Sequence, residues 1–151
     1  MGDTIFDKIV KGTIPCYKVW ESKSHLAFLT PFANTPGVTV LIPKTNIGDN
    51  FTNVSDLQFT NLMLAAKKVS ILLQKALNVN RVALVIEGTG VPYLHIKLYP
   101  LYGKNLENIA KLNSSNNQFT KTYKGYITTL EGPKMEDKNL KLIQQKIINV
   151  C

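Results

Sequence analysis

Short segments in the first third of the chain alternate apolar and polar residues, a pattern typical of β-strands with one buried face. Segments 17–21, 25–29 and 38–42 follow one another with turn-forming residues between them, so they predict an antiparallel meander. Residues 4–11 instead place their apolar side chains at helical spacing. They predict a short amphipathic helix that ends at Gly12.

A longer helical pattern predicts the principal helix over residues 56–77. Ser55 and Gln58 form a Ser-x-x-Gln capping box in front of it, and Asn78 is suited to end it. The apolar positions that recur at helical spacing are Leu62, Ala65, Val69, Leu72 and Ala76.

Two further strands follow this helix. Residues 82–86 are continuously apolar, and the stretch Val91–Pro100 alternates with a period of two. Its aliphatic row is Leu94, Ile96 and Leu98; its polar row is Tyr93, His95, Lys97 and Tyr99. The element order predicts an α+β fold in which a five-stranded antiparallel sheet carries one long and one short helix.

The C-terminal third has a different character. Residues 104–122 are rich in Asn, Ser and Lys and predict a loop, and 123–130 predict a further short strand. A terminal helix that must pack on an apolar surface is indicated by Leu140, Ile143, Ile147 and Val150. With 151 residues, the chain is expected to form a single domain.

Composition narrows the classes of function. The net charge of +8 favours anionic ligands, but the lysines are scattered, so nucleic-acid binding is not expected. No apolar run is long enough for a membrane span, and the N-terminal residues do not resemble a signal peptide. Cys16 and Cys151 form no metal-binding or disulfide pattern, and His25 and His95 lie in separate elements. We therefore expect a cytoplasmic protein without a metal site or cofactor.

The polar row around His95 carries the candidate chemistry. A neutral imidazole can attack phosphorus, and Lys97 on the same strand face can offset the developing negative charge. Just upstream, the backbone N–H groups of Gly88, Thr89 and Gly90 are suited to hold phosphate oxygens. The alternative interpretation of His95 is a structural histidine, because a single histidine on a strand is weak evidence for catalysis.

Several segments in this order resemble the histidine triad family over roughly residues 4–103. The likeness rests on segments 5–15, 26–29, 36–37 and 42–44, and on Tyr93-Leu94-His95-Ile96-Lys97-Leu98-Tyr99, which corresponds to the family's His-φ-His-φ-His-φ-φ signature. Only the middle histidine is present. The lysine in the third place resembles a divergent bacterial-type branch, from which Tyr93 departs. The resemblance implies a core over 4–103 with a C-terminal extension, 104–151, within one domain.

The resemblance also implies a function, a homodimer and a set of site residues. His95 would be the nucleophile of a nucleotidyl hydrolase or transferase acting on a nucleoside phosphoramidate or phosphoanhydride, with Lys97 and Tyr93 beside it. The expected nucleotide-binding residues are Phe6, Ile9, Phe28, Thr30, Gly88, Thr89 and Gly90. Thr30, Val38 and Ile86 replace polar residues that are common in the family. Together with the missing outer histidines, they keep open the alternative of a nucleotide- or phosphate-binding protein that has lost turnover.

Overall fold

The computed structural model describes residues 2–103 and 134–150. In these ranges, helix α1 spans Ile5–Val10, helix α2 spans Asp56–Leu77 and helix α3 spans Asp137–Ile148. The strands are β1 (Tyr17–Glu21), β2 (His25–Leu29), β3 (Thr39–Pro43), β4 (Val82–Glu87) and β5 (His95–Pro100), with a single 3₁₀ turn at Phe51–Asn53. The predicted loop at 104–122 and strand at 123–130 lie outside the described residues.

The five strands form one antiparallel sheet in the order β1-β2-β3-β5-β4, which confirms the predicted fold class. Three strands differ slightly from the prediction, and of these β4 extends one residue further, to Glu87. Strand β3 is shifted by one residue, and β5 begins at His95 rather than at Val91. The N–H of Tyr93 donates to the Val91 carbonyl, and the N–H of Leu94 donates to Gly48. Because Pro92 has no N–H, the segment before His95 forms these turn contacts instead of a ladder.

Local signals set the ends of α2 as predicted. The Ser55 hydroxyl accepts from the Gln58 N–H, and the Gln58 side chain accepts in return from the Ser55 N–H. At the other end, Asn78 adopts a left-handed conformation with φ of 51°, and its N–H donates to the Gln74 carbonyl. This is the conformation that ends many helices, and asparagine tolerates it better than most residues do.

The two faces of the sheet are packed differently. The helix face, represented by Ala27, Leu41 and Ile96, belongs to the main core together with the buried side of α2. The site face, represented by Phe28, Val40 and Lys97 in one row across the strands, lies on the opposite side, under α1. Strand alternation therefore separates the core of the protein from its candidate chemistry.

Helix α3 packs against α2 and β1. Its Leu140 and Ile147 are buried in the main core, and the side-chain amide of Gln144 donates to the Lys18 carbonyl on β1. The expectation that a terminal helix docks on an apolar surface is confirmed. This part of the C-terminal extension is thus continuous with the core.

Candidate functional site

His95, the first residue of β5, is only 2% exposed. Its Nδ1 lies 2.7 Å from the Tyr93 carbonyl oxygen. A carbonyl only accepts hydrogen bonds, so Nδ1 carries the proton in the neutral ring and the lone pair is on Nε2. Burial lowers the pKa of His95, although the Tyr93 carbonyl and a nearby carboxylate act in the opposite direction. The ring therefore meets two requirements of a nucleophile near neutral pH, a neutral state and a fixed tautomer.

A carboxylate, the side chain of Glu87, lies directly beside this lone pair. Glu87 is the residue of β4 opposite His95 in the antiparallel register. Its Oε1 lies 3.3 Å from His95 Nε2 and 2.6 Å from the Lys97 ammonium nitrogen. The hydrogen bond from Lys97 is the main cause that lowers the pKa of Glu87, which is therefore ionised near neutral pH. Carboxylate and ammonium are both mostly buried and largely cancel each other's charge.

One side of the His95 ring is covered by α1. The Phe6 ring meets His95 edge-on at a centroid distance of 5.1 Å, and it meets Tyr93 at 5.7 Å and Phe28 at 5.8 Å in similar geometry. Leu26, Val40 and Ile42 complete this apolar cluster. The predicted base-pocket residues Phe6 and Phe28 are thus brought together, and Ile9 packs at the edge of the same cluster.

Tyr93 does not present its phenol to the site, contrary to the expectation of an exposed polar row. It is fully buried, and its hydroxyl donates to the Pro43 carbonyl at 2.5 Å. Burial raises the pKa of Tyr93 to about 12. Tyr93 is buried because its ring packs against Phe6 and its hydroxyl can donate a hydrogen bond to a carbonyl of β3. What the structure places at this position is a packed, hydrogen-bonded side chain.

The glycine turn, residues 88–90, directly follows Glu87 at the end of β4. A Cβ added to Gly88 would overlap the carbonyl oxygen of Asp49, so the turn packs directly on the loop that precedes α2. Gly90, in contrast, has open space at its Cβ position. The Thr89 hydroxyl lies 3.4 Å from Glu87 Oε2. The turn therefore begins with the buried Gly88 next to Glu87 and ends with the exposed residues Thr89 and Gly90.

Thr30 follows β2 and is partly buried, and its side-chain oxygen accepts from the Phe32 N–H at 3.2 Å. Its N–H donates to the Val38 carbonyl. The hydroxyl oxygen thus accepts one hydrogen bond from the local backbone and has a second lone pair.

Sequence reasoning missed Glu87 as a member of this cluster. Its only visible signal was its position at the end of an apolar strand just before the glycine turn. Which residue faces His95 depends on the register of β4 against β5. A strand pattern by itself does not give that register.

Two other features, a metal-binding cluster and a membrane-spanning helix, are absent from the described ranges 2–103 and 134–150. No group of three or more His, Cys, Asp or Glu side chains there is arranged to bind a metal ion. No helix within those ranges has both the length and the apolar character needed to cross a membrane.

Comparisons with known proteins indicate the family of this chain. A sequence model of the HIT (histidine triad) domain matches residues 11–103. An uncharacterized HIT-like protein of Mycoplasma genitalium is 32% identical over 117 residues, which cover 72% of this chain and 82% of that protein. The adenosine 5'-monophosphoramidase hnt1 of Schizosaccharomyces pombe is 38% identical over 66 residues, 44% of this chain and 49% of that protein.

Solved structures give the same result for the fold. A hypothetical histidine triad nucleotide-binding protein from Sulfolobus tokodaii superposes with a TM-score of 0.72 and 19% identity. The superposition covers 95% of this chain and 89% of that one. At this identity the similarity establishes the fold, and any chemistry has to be argued from the residues of this chain.

Proposed function

This chain belongs to the histidine triad family, and we propose that it is a nucleotidyl hydrolase or transferase with His95 as its nucleophile. The observation that carries the proposal is the hydrogen bond from His95 Nδ1 to the Tyr93 carbonyl, which leaves the lone pair on Nε2. A buried, neutral imidazole with a fixed tautomer needs no separate base to attack phosphorus.

The proposed reaction has two steps. In the first, Nε2 forms a bond to the phosphorus of a nucleoside phosphoramidate or phosphoanhydride, the bond to the leaving group breaks, and the leaving group takes a proton from solvent. In the second, water attacks phosphorus, the Nε2–P bond breaks, and a nucleoside 5'-phosphate and a proton are released. The Nδ1–H of His95 remains hydrogen-bonded to the Tyr93 carbonyl in both steps, and this hydrogen bond stabilises the positive charge of the phosphorylated ring.

Substrate binding is assigned by family likeness and by position. Phe6, Ile9 and Phe28 would hold the base, since they share one apolar cluster beside His95. Thr30 would contact the ribose, and the turn at residues 88–90 would hold phosphate oxygens through backbone N–H groups. Lys97, whose charge is paired with Glu87, would donate a hydrogen bond to a phosphoryl oxygen. The Tyr93 hydroxyl, which donates to the Pro43 carbonyl, would take no part in the reaction, and Tyr93 would orient His95 through its backbone carbonyl.

Gly90 offers a direct test of the phosphate turn. Since a Cβ at this position meets no atom within 4 Å beyond its own residue and its two chain neighbours, Gly90→Val should fold normally while crowding the turn's outer side. We expect nucleotide affinity to fall several-fold in this variant. Unchanged affinity would remove the turn from the binding site.

The nucleophile is tested by trapping the intermediate. After the protein is mixed with adenosine phosphoramidate and quenched at alkaline pH, where a phosphohistidine-type bond survives, mass spectrometry should find adenylate on His95. The His95→Asn variant should carry none and show no turnover. His25→Asn is the matched control, because His25 is also buried at 7% exposure but lies at the end of β2 beside the Ser24 hydroxyl.

A second candidate is a nucleotide-binding protein without turnover. Two observations favour it: Glu87 lies against Nε2, and the buried Tyr93 replaces the family's first histidine. This function predicts that the parent protein binds nucleotides but shows neither adenylate on His95 nor product from phosphoramidates, adenylates or dinucleoside polyphosphates. That result would reject the enzyme.

We further propose that the protein forms a homodimer through α2. Exposed apolar side chains recur on this helix at seven-residue intervals, Leu57, Leu64 and Ile71, with exposures of 70%, 53% and 43%. Such a row fits a self-complementary contact across a two-fold axis. Sedimentation at micromolar concentration should give a dimer and Leu64→Lys a monomer; a monomeric parent protein would exclude the assembly.

A further inference from the structure

Glu87 occupies the position that a phosphoryl group needs. Its Oε1 is 3.3 Å from the His95 lone pair and 2.6 Å from the Lys97 ammonium group. An attacking nitrogen must come within about 3–3.5 Å of phosphorus before bonding. A phosphoryl oxygen that reaches Lys97 would therefore take the place of this carboxylate oxygen, and the carboxylate would remain close by.

The charge of the cluster follows from the same contacts. With His95 neutral, the cluster contains one carboxylate and one ammonium group, which are joined by a hydrogen bond. Lys97 therefore offers no net positive charge to an incoming phosphate. Because Glu87 is only 28% exposed at its side chain, solvent screens its repulsion of a nearby anion less than it would at the surface.

We propose that Glu87 determines specificity at this site by charge: the site prefers substrates with a single negative charge at the reacting phosphorus and disfavours phosphates with more. The preferred class comprises phosphodiester-like monoanions, in which the phosphorus carries a nucleoside ester and one further uncharged substituent. The inference rests on the proposed function for the identity of the reacting group. Its support is the position of a fixed carboxylate beside the nucleophile and its pairing with the neighbouring cation.

Two adenosine ligands that differ by one charge test the proposal without requiring turnover. AMP is largely a dianion at pH 7.5, whereas its methyl ester at phosphorus is a monoanion of nearly the same shape. Calorimetry should show that the parent protein binds the methyl ester more tightly than AMP. Glu87→Gln, which keeps the shape and removes the charge, should improve AMP binding about tenfold more than binding of the ester.

Two further variants separate charge from other effects. Glu87→Asp keeps the charge with a shorter side chain and should keep the preference for the ester. Glu21→Gln is the matched control, since Glu21 also pairs with lysines, Lys18 and Lys44, but on β1. It should leave the ratio of the two affinities unchanged.

The outcomes distinguish this inference from the proposed function. Equal improvement for both ligands in Glu87→Gln, no improvement, or no binding of either ligand would overturn it. If the affinity ratio shifts as expected while the parent protein shows no turnover, the enzyme is rejected and the role of Glu87 in selecting the ligand stands.

Discussion

The two faces of the sheet are built from the same strands but follow different rules. On the helix face, side chains such as Leu41 and Ile96 are completely buried and serve one purpose, contact with α2. On the site face, apolar residues surround a histidine, a lysine and a glutamate that hold each other in position. Substitutions on the first face should therefore change stability, whereas substitutions on the second should change binding and chemistry.

The largest expected effect on stability lies on the helix face. Leu73 of α2 is fully buried, so Leu73→Ala should lower the free energy of unfolding by about 2–5 kcal/mol through lost burial and the cavity left behind. Leu142 on α3 is 62% exposed, and Leu142→Ala should change stability by less than about 0.5 kcal/mol. Urea unfolding measures both. Similar losses in the two variants would contradict the packing described for α2.

On the site face, Phe6→Leu should affect binding more than folding. Leucine keeps the site apolar, so the cost in stability should stay below about 1.5 kcal/mol. The variant nevertheless loses three edge-on ring contacts, including the one to His95. We expect nucleotide affinity to fall about tenfold, which corresponds to about 1.4 kcal/mol.

The matched control for this variant is Phe59→Leu. Phe59 is partly buried on α2, and its ring packs against Phe51, outside the apolar cluster around Phe6. It should leave nucleotide affinity unchanged in a titration under the same conditions. If Phe6→Leu binds as tightly as this control, the α1 cluster is ordinary core.

The helix face also tests a local signal. Ser55→Ala removes the hydroxyl that caps α2 and should cost about 1 kcal/mol of stability. Ser70, in the interior of the same helix, is the control, and Ser70→Ala should cause no loss because alanine is the better helix former. Thermal unfolding of the two variants, compared at equal protein concentration, measures the difference. Equal melting temperatures would mean that packing alone sets the start of the helix.

These differences explain how far the sequence could be interpreted. Residues 56–77 were predicted as a helix with the bounds observed, because the capping box, the apolar spacing and Asn78 are all local signals. The fold class followed from the order of such elements. The separation of His95 and Lys97 from the aliphatic row was equally local, since it depends only on alternation along one strand.

What could not be predicted depends on contacts between distant segments. Glu87 meets His95 through the register of two strands, and the buried Tyr93 hydroxyl donates a hydrogen bond to the Pro43 carbonyl, fifty positions away in the chain. Neither the register nor that carbonyl is visible in a strand pattern. The residues that modify the chemistry of the site were therefore harder to find than the nucleophile itself.

The smallest expected effect is a dependence of stability on pH that compares a histidine on each face. His25 lies on the helix face, the same face of β2 as Ala27 and Leu29, and His95 lies on the site face. Both histidines are buried, and burial lowers the pKa of each. A histidine with a lowered pKa binds fewer protons in the folded state than in the unfolded state. The stability that depends on the neutral imidazole is therefore complete above the ordinary histidine pKa of about 6.5. It is lost as the pH falls below that value and through the folded-state pKa.

Urea unfolding at pH 7.5 and at pH 5.5 should thus show a less stable protein at the lower pH. His25→Asn and His95→Asn should each reduce this difference, and the double variant should reduce it most. The carboxylates Asp7, Glu21 and Glu87 also have lowered pKa values, but the loss they cause begins at lower pH, near the ordinary carboxyl range. If one histidine variant keeps the full difference of the parent protein, the imidazole on that face is not held neutral by burial. For His95, such a result would also weaken its assignment as a nucleophile at neutral pH.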